Sequence, residues 1–296
     1  MYRIHHVEKL TDTIYKMDVE APRVAKRCQP GEFVIVRIDE KGERIPLTIC
    51  DYDREKGCIT IVFQVVGQST EKMKQLKAGD AFKDITGPLG KPSDFVDEDL
   101  ETLKKKRYIL IAGGVGTAPI YPQAKWLHER HIPVDVIIGA RSKDLLILTE
   151  EMKEVCDHLY IMTDDGSFGE KGVGTDKLDQ LVKEQQEHYD RCVAIGPMIM
   201  MKFVCLHTKE LGIPTTVSLN PIMVDGTGMC GACRVSVGGE VKFACVDGPE
   251  FDGHQVDFDQ AMKRQQMYKT EEGRRMLEQL EGETHHGGCG QCGGEA

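Results

Sequence analysis

The chain has 296 residues, 40% of them hydrophobic and 29% charged, and a formal net charge of −10. That length suggests about two domains, or three if one is small, the composition is that of an ordinary soluble globular protein, and the acidic balance argues against nucleic acid or an anionic membrane as the main partner. Eleven cysteines, an odd count, exclude a secreted disulfide framework and point to a reducing compartment where thiols stay free, buried or bound to metal.

The first hundred residues read as β structure. Tyr2 to Leu10 and Thr11 to Val19 carry short apolar–polar alternations, and Phe33 to Ile38 and Cys58 to Val66 are rich in β-branched residues. Pro30-Gly31, Gly42, Gly57 and Gly67 punctuate them. One helix interrupts, with Ser69 as its N-cap and Met73, Leu76 and Ala78 as its apolar stripe. Several short strands with turn signals predict a small antiparallel barrel. Pro88 to Pro92 ends the regularity. An acidic run (Asp97, Glu98, Asp99, Glu101) and a basic run (Lys104 to Arg107) then mark a boundary and read as solvated faces.

Past that boundary strands alternate with helices. Tyr108 to Ala112, Val134 to Ile138, His158 to Met162, Cys192 to Ile195 and Thr215 to Val217 read as strands. Helices are expected after Gly116 to Arg130, over Asp176 to His188 and over Met198 to Leu211. This rhythm predicts a doubly wound parallel sheet with helices on both faces. From about Met223 the chain becomes compact and rich in Gly and Cys, and a charged helix is expected over Asp257 to Leu280. The division reads 1–100, 101–222, 223–265 and 266–296. The longest greasy stretch, Cys192 to Leu206, is broken by Gly196, Pro197 and Lys202 and is too short to span a bilayer. Met1 to His6 shows no apolar signal core, so a cytoplasmic location is expected.

The strongest motif is Asp225-x4-Cys230-x2-Cys233-x11-Cys245. Three cysteines fit the plant-type [2Fe–2S] spacing, with Asp225 at the first ligand position. Gly226, Gly228 and Gly231 let the backbone curl tightly around such a group, and Cys245 comes from a hairpin of Arg234 to Val237 with Val241 to Ala244, turning at Gly238-Gly239. A structural zinc site with three Cys and one Asp is the alternative. The second motif is Gly113-Gly114-Val115-Gly116-Thr117-Ala118-Pro119, which joins a strand to a helix as a pyrophosphate site would. Gly196-Pro197-Met198 and Asp164-Asp165-Gly166 follow other strands of the same sheet, and Gly139 and Arg141 close a further one. Ligands bind outside the carboxyl ends of such strands, so these turns are candidate walls of one crevice. Gly67-Gln68-Ser69-Thr70 offers amides and hydroxyls at a helix start. The tail pair Cys289 and Cys292, near His285 and His286, has metal-ligand spacing.

The order barrel, nucleotide domain, Cys loop resembles the ferredoxin–NADP reductase superfamily over about residues 1 to 265. Within it the chain is similar to the electron-transfer subunits of class B dihydroorotate dehydrogenase, and more so to the small-subunit branch of the electron-bifurcating NADH-dependent ferredoxin:NADP oxidoreductases. The Cys loop with Gly248 to Asp252 carries this most specifically, and Asp225 favours the second branch. The resemblance implies an electron-transfer flavoprotein subunit with FAD in the barrel, NAD in the α/β domain and a [2Fe–2S] cluster. Arg44, Pro46, Leu47 and Thr48 would contact the flavin, with Thr48 as the catalytic residue near its N5. Val62, Phe63, Gln64, Gly67, Ser69 and Thr70 would add flavin contacts, and Gly113 to Pro119 would receive the NAD pyrophosphate. The implied partner is a larger subunit bearing flavin and [4Fe–4S] clusters, with ferredoxin reached indirectly. Dihydroorotate, sulfide or glutamate-synthase-like partners are the alternatives, and a zinc-bound regulatory protein is the reading from another class.

Overall fold

The structure is a computed structural model and describes residues 1–274. The tail pair Cys289 and Cys292 lies outside the described residues.

The N-terminal strands are β1 (Tyr2–Lys9), β2 (Ile14–Glu20), β3 (Phe33–Arg37), β4 (Ile45–Asp53), β5 (Cys58–Gln64), β6 (Ala81–Phe82) and β7 (Asp84–Leu89). They form one antiparallel sheet in the order β6-β1-β2-β5-β4-β3-β7, curled into a nearly closed barrel. Ile4, Met17, Val19, Val34, Val36, Ile61 and Phe63 fill its interior. Helices α1 (Pro22–Arg27) and α2 (Gln68–Lys74) add Val24, Ala25 and Met73 to that core.

Two readings are corrected here. Gly67, not Ser69, is the N-cap of α2, because Thr70 Oγ1 reaches back to accept from the Gly67 and Val66 N–H groups at 3.1 and 3.0 Å. The helix also ends at Lys74, before Leu76 and Ala78.

The second sheet uses β8 (Tyr108–Gly113), β9 (Val134–Ala140), β10 (His158–Thr163), β11 (Glu170–Lys171), β12 (Arg191–Ile195) and β13 (Thr215–Ser218). After β14 (Arg234–Val237) and β15 (Glu240–Phe243), strand β16 (Glu250–Asp252) completes it in the order β11-β10-β9-β8-β12-β13-β16. All its pairings are parallel except β13 with β16. The order of successive strands reverses between β8 and β12, as doubly wound topology requires. Helices α3 (Leu100–Leu103), α4 (Thr117–His128) and α5 (Thr149–Lys153) pack on one face through Leu103, Ile120, Leu127 and Met152. Helices α6 (Gly174–Asp179) and α7 (Met198–Glu210) cover the other through Leu178, Met201 and Val204. The helix expected over Asp176 to His188 is instead α6 plus a single wide π turn, Gln180–Glu184.

The β14–β15 hairpin turns at Gly238-Gly239. Ala244 does not extend β15: it opens the one-turn helix α8 (Ala244–Asp247), which carries Cys245. The charged helix begins as expected with α9 (Phe258–Gln265), a turn at 266–268 interrupts it, and helical backbone resumes over 269–274, where the described residues end. The charge runs are not simply solvated. Lys106 pairs with Glu98, and Arg107 Nη2 reaches the fully buried Asp135 at 2.7 Å, where Tyr189 OH also donates at 2.7 Å. Cys28, Cys50, Cys156, Cys192 and Cys205 are buried, whereas Cys58 is half-exposed.

The domains dock through α4 and β4. Val62 and Cys50 of the barrel share an apolar cluster with Ala118, Ile147 and Leu148. Lys125 Nζ on α4 grips both oxygens of Asp51 on β4, at 2.8 and 3.0 Å. Among the described residues, no helix is long and apolar enough to cross a membrane.

Candidate functional site

Two glycine turns meet where the parallel strand order reverses. Strands β8 and β12 are hydrogen-bonded neighbours that end at Gly113 and Ile195. A Cβ on Gly116 would stand 2.2 Å from the Ile195 carbonyl oxygen and 2.9 Å from Gly196 Cα, and one on Gly196 would stand 3.1 Å from the Gly113 nitrogen. Backbone packed this tightly leaves no room for a side chain. Gly114–Gly116 forms one tight turn, and Thr117 opens α4 with its Oγ1 donating to the Gly114 carbonyl at 2.9 Å. Pro197 caps α7, whose first residue is Met198. Two helix N-termini thus flank one crevice, and backbone N–H groups with the positive ends of two dipoles suit a pyrophosphate.

The neighbouring wall is the end of β9 with the turn after β10. Gly139 lies in register with Gly113 on one side and Met162 on the other. The Asp164 and Asp165 N–H groups donate to the Ala140 and Arg141 carbonyls at 3.1 and 3.2 Å, so Arg141 and the Asp164–Gly166 turn share one exposed rim. Ser167, through side chain and backbone N–H, holds the Asp165 carboxyl below the usual range.

On the barrel side, β4 changes partner along its length. Ile45, Pro46, Leu47 and Thr48 pair with β3, whereas pairing to β5 begins at Ile49. The 45–48 half therefore keeps one edge outside the β5 ladder. Side chains on β5 alternate: Val62 faces the α4 cluster with Val115 and Ala118, Phe63 points into the barrel core against Tyr15, and Gln64 is exposed. Gly67 is exposed too. Both hydroxyls at the start of α2 already have partners, since Ser69 donates to Glu43 and Thr70 donates to the Gly67 carbonyl.

The Cys loop rests on the outer face of β3. Phe33 and Ile35 point away from the barrel core and form a small apolar cluster with Cys233, Ala244 and Cys245, flanked by Leu89, Met223 and Phe251. Cys233 and Cys245 touch, Sγ to Sγ, at 3.3 Å. Cys230 is exposed. Asp225 Oδ1 accepts from the Thr227 N–H at 2.6 Å and Oδ2 from the Cys230 N–H at 2.9 Å, which keeps the carboxyl below its usual range. Burial, and then the neighbouring Cys233, push the Cys245 thiol up to about 12. A buried thiol raised in this way stays protonated unless a cation takes the place of its proton.

The donors fall into two pairs, Asp225 with Cys230 and Cys233 with Cys245. Among the described residues, no three His, Cys, Asp or Glu side chains converge on one point to hold a metal ion. A tetrahedral zinc needs four donors around one centre, whereas a two-iron cluster takes two donors at each iron. The residues fit the second group.

Some functional neighbours carried no sequence signal. Phe33 and Ile35 read only as barrel strand, and Asp51 and Lys125 stand in no motif. The half-buried Glu250 links the segment after β7 to α4. Its Oε1 accepts from Ser93 Oγ at 3.1 Å and from Gln123 Nε2 of α4 at 2.7 Å. Burial pushes it up to about 7.

Comparison with known proteins gives two family matches. Residues 220–257 match the iron–sulfur cluster binding domain of dihydroorotate dehydrogenase B, and residues 110–206 match the oxidoreductase NAD-binding domain. An uncharacterized protein in the adh 3′ region of Clostridium beijerinckii is 63% identical over 296 residues, covering 100% of both chains. A dihydroorotate dehydrogenase B (NAD(+)) electron transfer subunit homolog of Thermotoga maritima is 48% identical over 264 residues, covering 89% of this chain and 90% of that protein. Among solved structures, a chain of the NADH-dependent reduced ferredoxin–NADP oxidoreductase, described for flavin-based electron bifurcation, superposes with a TM-score of 0.84 at 45% identity, covering 94% of this chain and 98% of that one.

Proposed function

The chain belongs to the family of dihydroorotate dehydrogenase B electron-transfer subunits, and from that premise we propose that it passes electrons between NAD(H), FAD and a [2Fe–2S] cluster as the small subunit of an electron-bifurcating, NADH-dependent ferredoxin:NADP oxidoreductase. One observation carries this reading. Strand β3 serves both sites: its outer face packs on Cys233 and Cys245, and its edge pairs with the Ile45–Thr48 half of β4, Thr48 opposite Phe33. Paired strands lie roughly 4.8 Å apart. The proposed flavin segment and the strand on which the cluster thiols pack are thus neighbours in one sheet.

Bound FAD would exchange electrons in pairs with a nicotinamide and singly with an iron–sulfur cluster. The chain's own residues supply position. Pro46, Leu47 and Thr48 offer an open strand edge to the flavin, with the Thr48 hydroxyl as the donor beside its reacting edge. Val62 and the backbone of Phe63 and Gln64 form the wall between barrel and crevice, and Gly67, Ser69 and Thr70 border the site. Gly113 to Pro119, with Gly196 to Met198, receive the NAD pyrophosphate, while Gly139, Arg141 and Asp164 to Gly166 border its ribose end. Asp225, Cys230, Cys233 and Cys245 would hold the cluster. The carboxylate is a harder donor than a thiolate, and ligand type tunes potential. The three-part division at 1–100, 101–222 and 223–265 is part of the same proposal, as is a larger redox subunit as partner.

Visible absorption of the anaerobically purified chain tests the reading. A flavin band together with [2Fe–2S] charge-transfer bands, bleached by NADH, is the expected result. Absence of both sinks it, and zinc without iron would give the regulatory reading instead. Purification with its native partner then separates the branches, since a dihydroorotate-oxidising partner would replace the bifurcating assignment.

A further inference from the structure

Arg44 is the residue that joins the two proposed redox sites. It immediately precedes β4, whose first four residues form the open edge offered to the flavin. Its Nη2 donates to the backbone carbonyl of Asp225 at 3.1 Å, a contact between residues 181 positions apart. Asp225 in turn closes the cluster loop on itself through the Thr227 and Cys230 N–H groups. On the other side of Asp225, the Gly226 backbone approaches so closely that a Cβ there would lie 2.4 Å from Ile35 Cδ1 and 3.1 Å from Leu89 Cδ1. The start of the loop is therefore fixed between a barrel strand and a guanidinium. The Arg44 Nε is buried with no hydrogen-bond partner. A buried donor left unmatched costs about 1–3 kcal/mol, and an anionic group bound beside it would supply the missing acceptor.

We propose that Arg44 is a positioning residue, which ties the flavin-bearing strand to the first ligand of the cluster and whose fixed charge holds the cluster's reduction potential up. This rests on the electron-transfer reading. The physical basis is simple. An arginine in a protein does not lose its proton, and a fork of N–H donors holds an acceptor more rigidly than a single ammonium can. Reduction adds one negative charge to the cluster, and a cation beside it favours the more negative state. Net charge and hydrogen bonding near the sulfurs are recognised controls on cluster potential. Arg44 thus acts on the cluster through Asp225 rather than by ligating iron.

The test is a redox titration of the cluster by electron paramagnetic resonance in the intact complex, comparing the parent with Arg44→Gln and Arg44→Lys. In Arg44→Gln the ratio of reduced to oxidised cluster at a fixed potential is expected to fall about tenfold, which is a shift of 59 mV to lower potential for one electron. Arg44→Lys keeps the charge and is expected to stay within threefold of the parent. An unmoved midpoint in Arg44→Gln, with parental iron and flavin contents, overturns the proposal. Should Arg44→Gln fail to retain iron, Arg44→Lys decides: a parental midpoint supports the charge role and a tenfold fall overturns it. The parent's own spectrum keeps the two readings apart. Missing flavin and iron there would refute the proposed function, whereas a normal parent with an unresponsive Arg44→Gln refutes only the role of Arg44.

Discussion

The chain's two glycine-rich segments use glycine for different physical reasons. In the crevice, Gly113 and Gly116 have φ of −120° and −61°, values open to any residue. Glycine is demanded there by neighbouring backbone, with the Ile195 carbonyl oxygen where a Gly116 Cβ would go. In the cluster loop, Gly228 has φ of +86° and would meet only the methyls of Val246, at 3.1–3.2 Å. Here glycine is demanded by the curl of the chain. The crevice is therefore a shape built by packed strands. The loop is a conformation held by the bonds of Asp225, the contact of Arg44 and the floor formed by Phe33 and Ile35.

The largest effect expected from that difference is in the crevice. Gly116→Ala sets a methyl against a carbonyl at the sheet's central joint, where neither strand has freedom to withdraw. Overpacking of this kind costs about 1–3 kcal/mol and occasionally more, and a contact this short belongs at the upper end. The denaturation midpoint of the whole chain is expected to fall accordingly, with loss of NADH binding followed by flavin bleaching. A variant with parental stability and NADH affinity would break the claim that close approach, not conformation, fixes this glycine.

The next effect is at the carboxyl that joins the two regions. Gln123, from the helix that the crevice turn opens, and β16, which follows the cluster segment, meet at Glu250. Burial first, then the charge of Asp94, raise its titration to about 7 from an ordinary 4.5, while the bonds from Ser93 and Gln123 work the other way. The folded state thus keeps a proton that the unfolded chain releases, and stability falls as pH rises from about 4.5 to about 7. Glu250→Gln keeps both accepted hydrogen bonds and removes the titration. It is expected to raise stability at pH 8 by at most on the order of 3 kcal/mol, seen as a higher melting temperature, and to leave the melting temperature unchanged at pH 4. Parallel melting curves across that range check it, and an equal effect at both ends would dissociate Glu250 from the pH dependence.

The same contrast explains what the sequence made legible. The α/β strands stood out because a buried parallel strand reads as an unbroken apolar run, and Ile109, Ile111, Val136 and Ile138 supply one. The glycines at 113, 116 and 196 were visible because strand, turn and helix follow in fixed order. Strand β4 was not visible as a strand, since Pro46 argues against one. The structure resolves the conflict: Pro46 lies opposite Ile35 where β4 has a single strand partner, so its missing N–H breaks no ladder to β5. Helix α8 was hidden because four residues show no period, although it carries Cys245. The spacing of the ligand residues was legible but their supports were not. Arg44, Phe33, Ile35 and Glu250 act through partners far away in sequence, and no local pattern announces such contacts.

The smallest effect sharpens the comparison most. Gly114 belongs to the crevice but behaves like the loop, with φ of +55° and open space where a Cβ would stand. If conformation and close approach are separate demands, cost follows the demand and not the region. Gly114→Ala and Gly228→Ala then share one penalty, that of placing an L residue in the left-handed region, about 1–2 kcal/mol. Both are expected to lose less stability than Gly116→Ala. Their functional signatures differ all the same. Gly228→Ala is expected to lower iron content and spare the bleaching of flavin by NADH, because the strain falls on a loop supported by few bonds. Gly114→Ala is expected to keep iron and raise the NADH concentration needed for half-bleaching. Denaturant titration paired with iron analysis and NADH titration reads all three variants on one scale. If Gly114→Ala proved as costly as Gly116→Ala, the crevice would depend on its backbone angles as the loop does, and the distinction would fail.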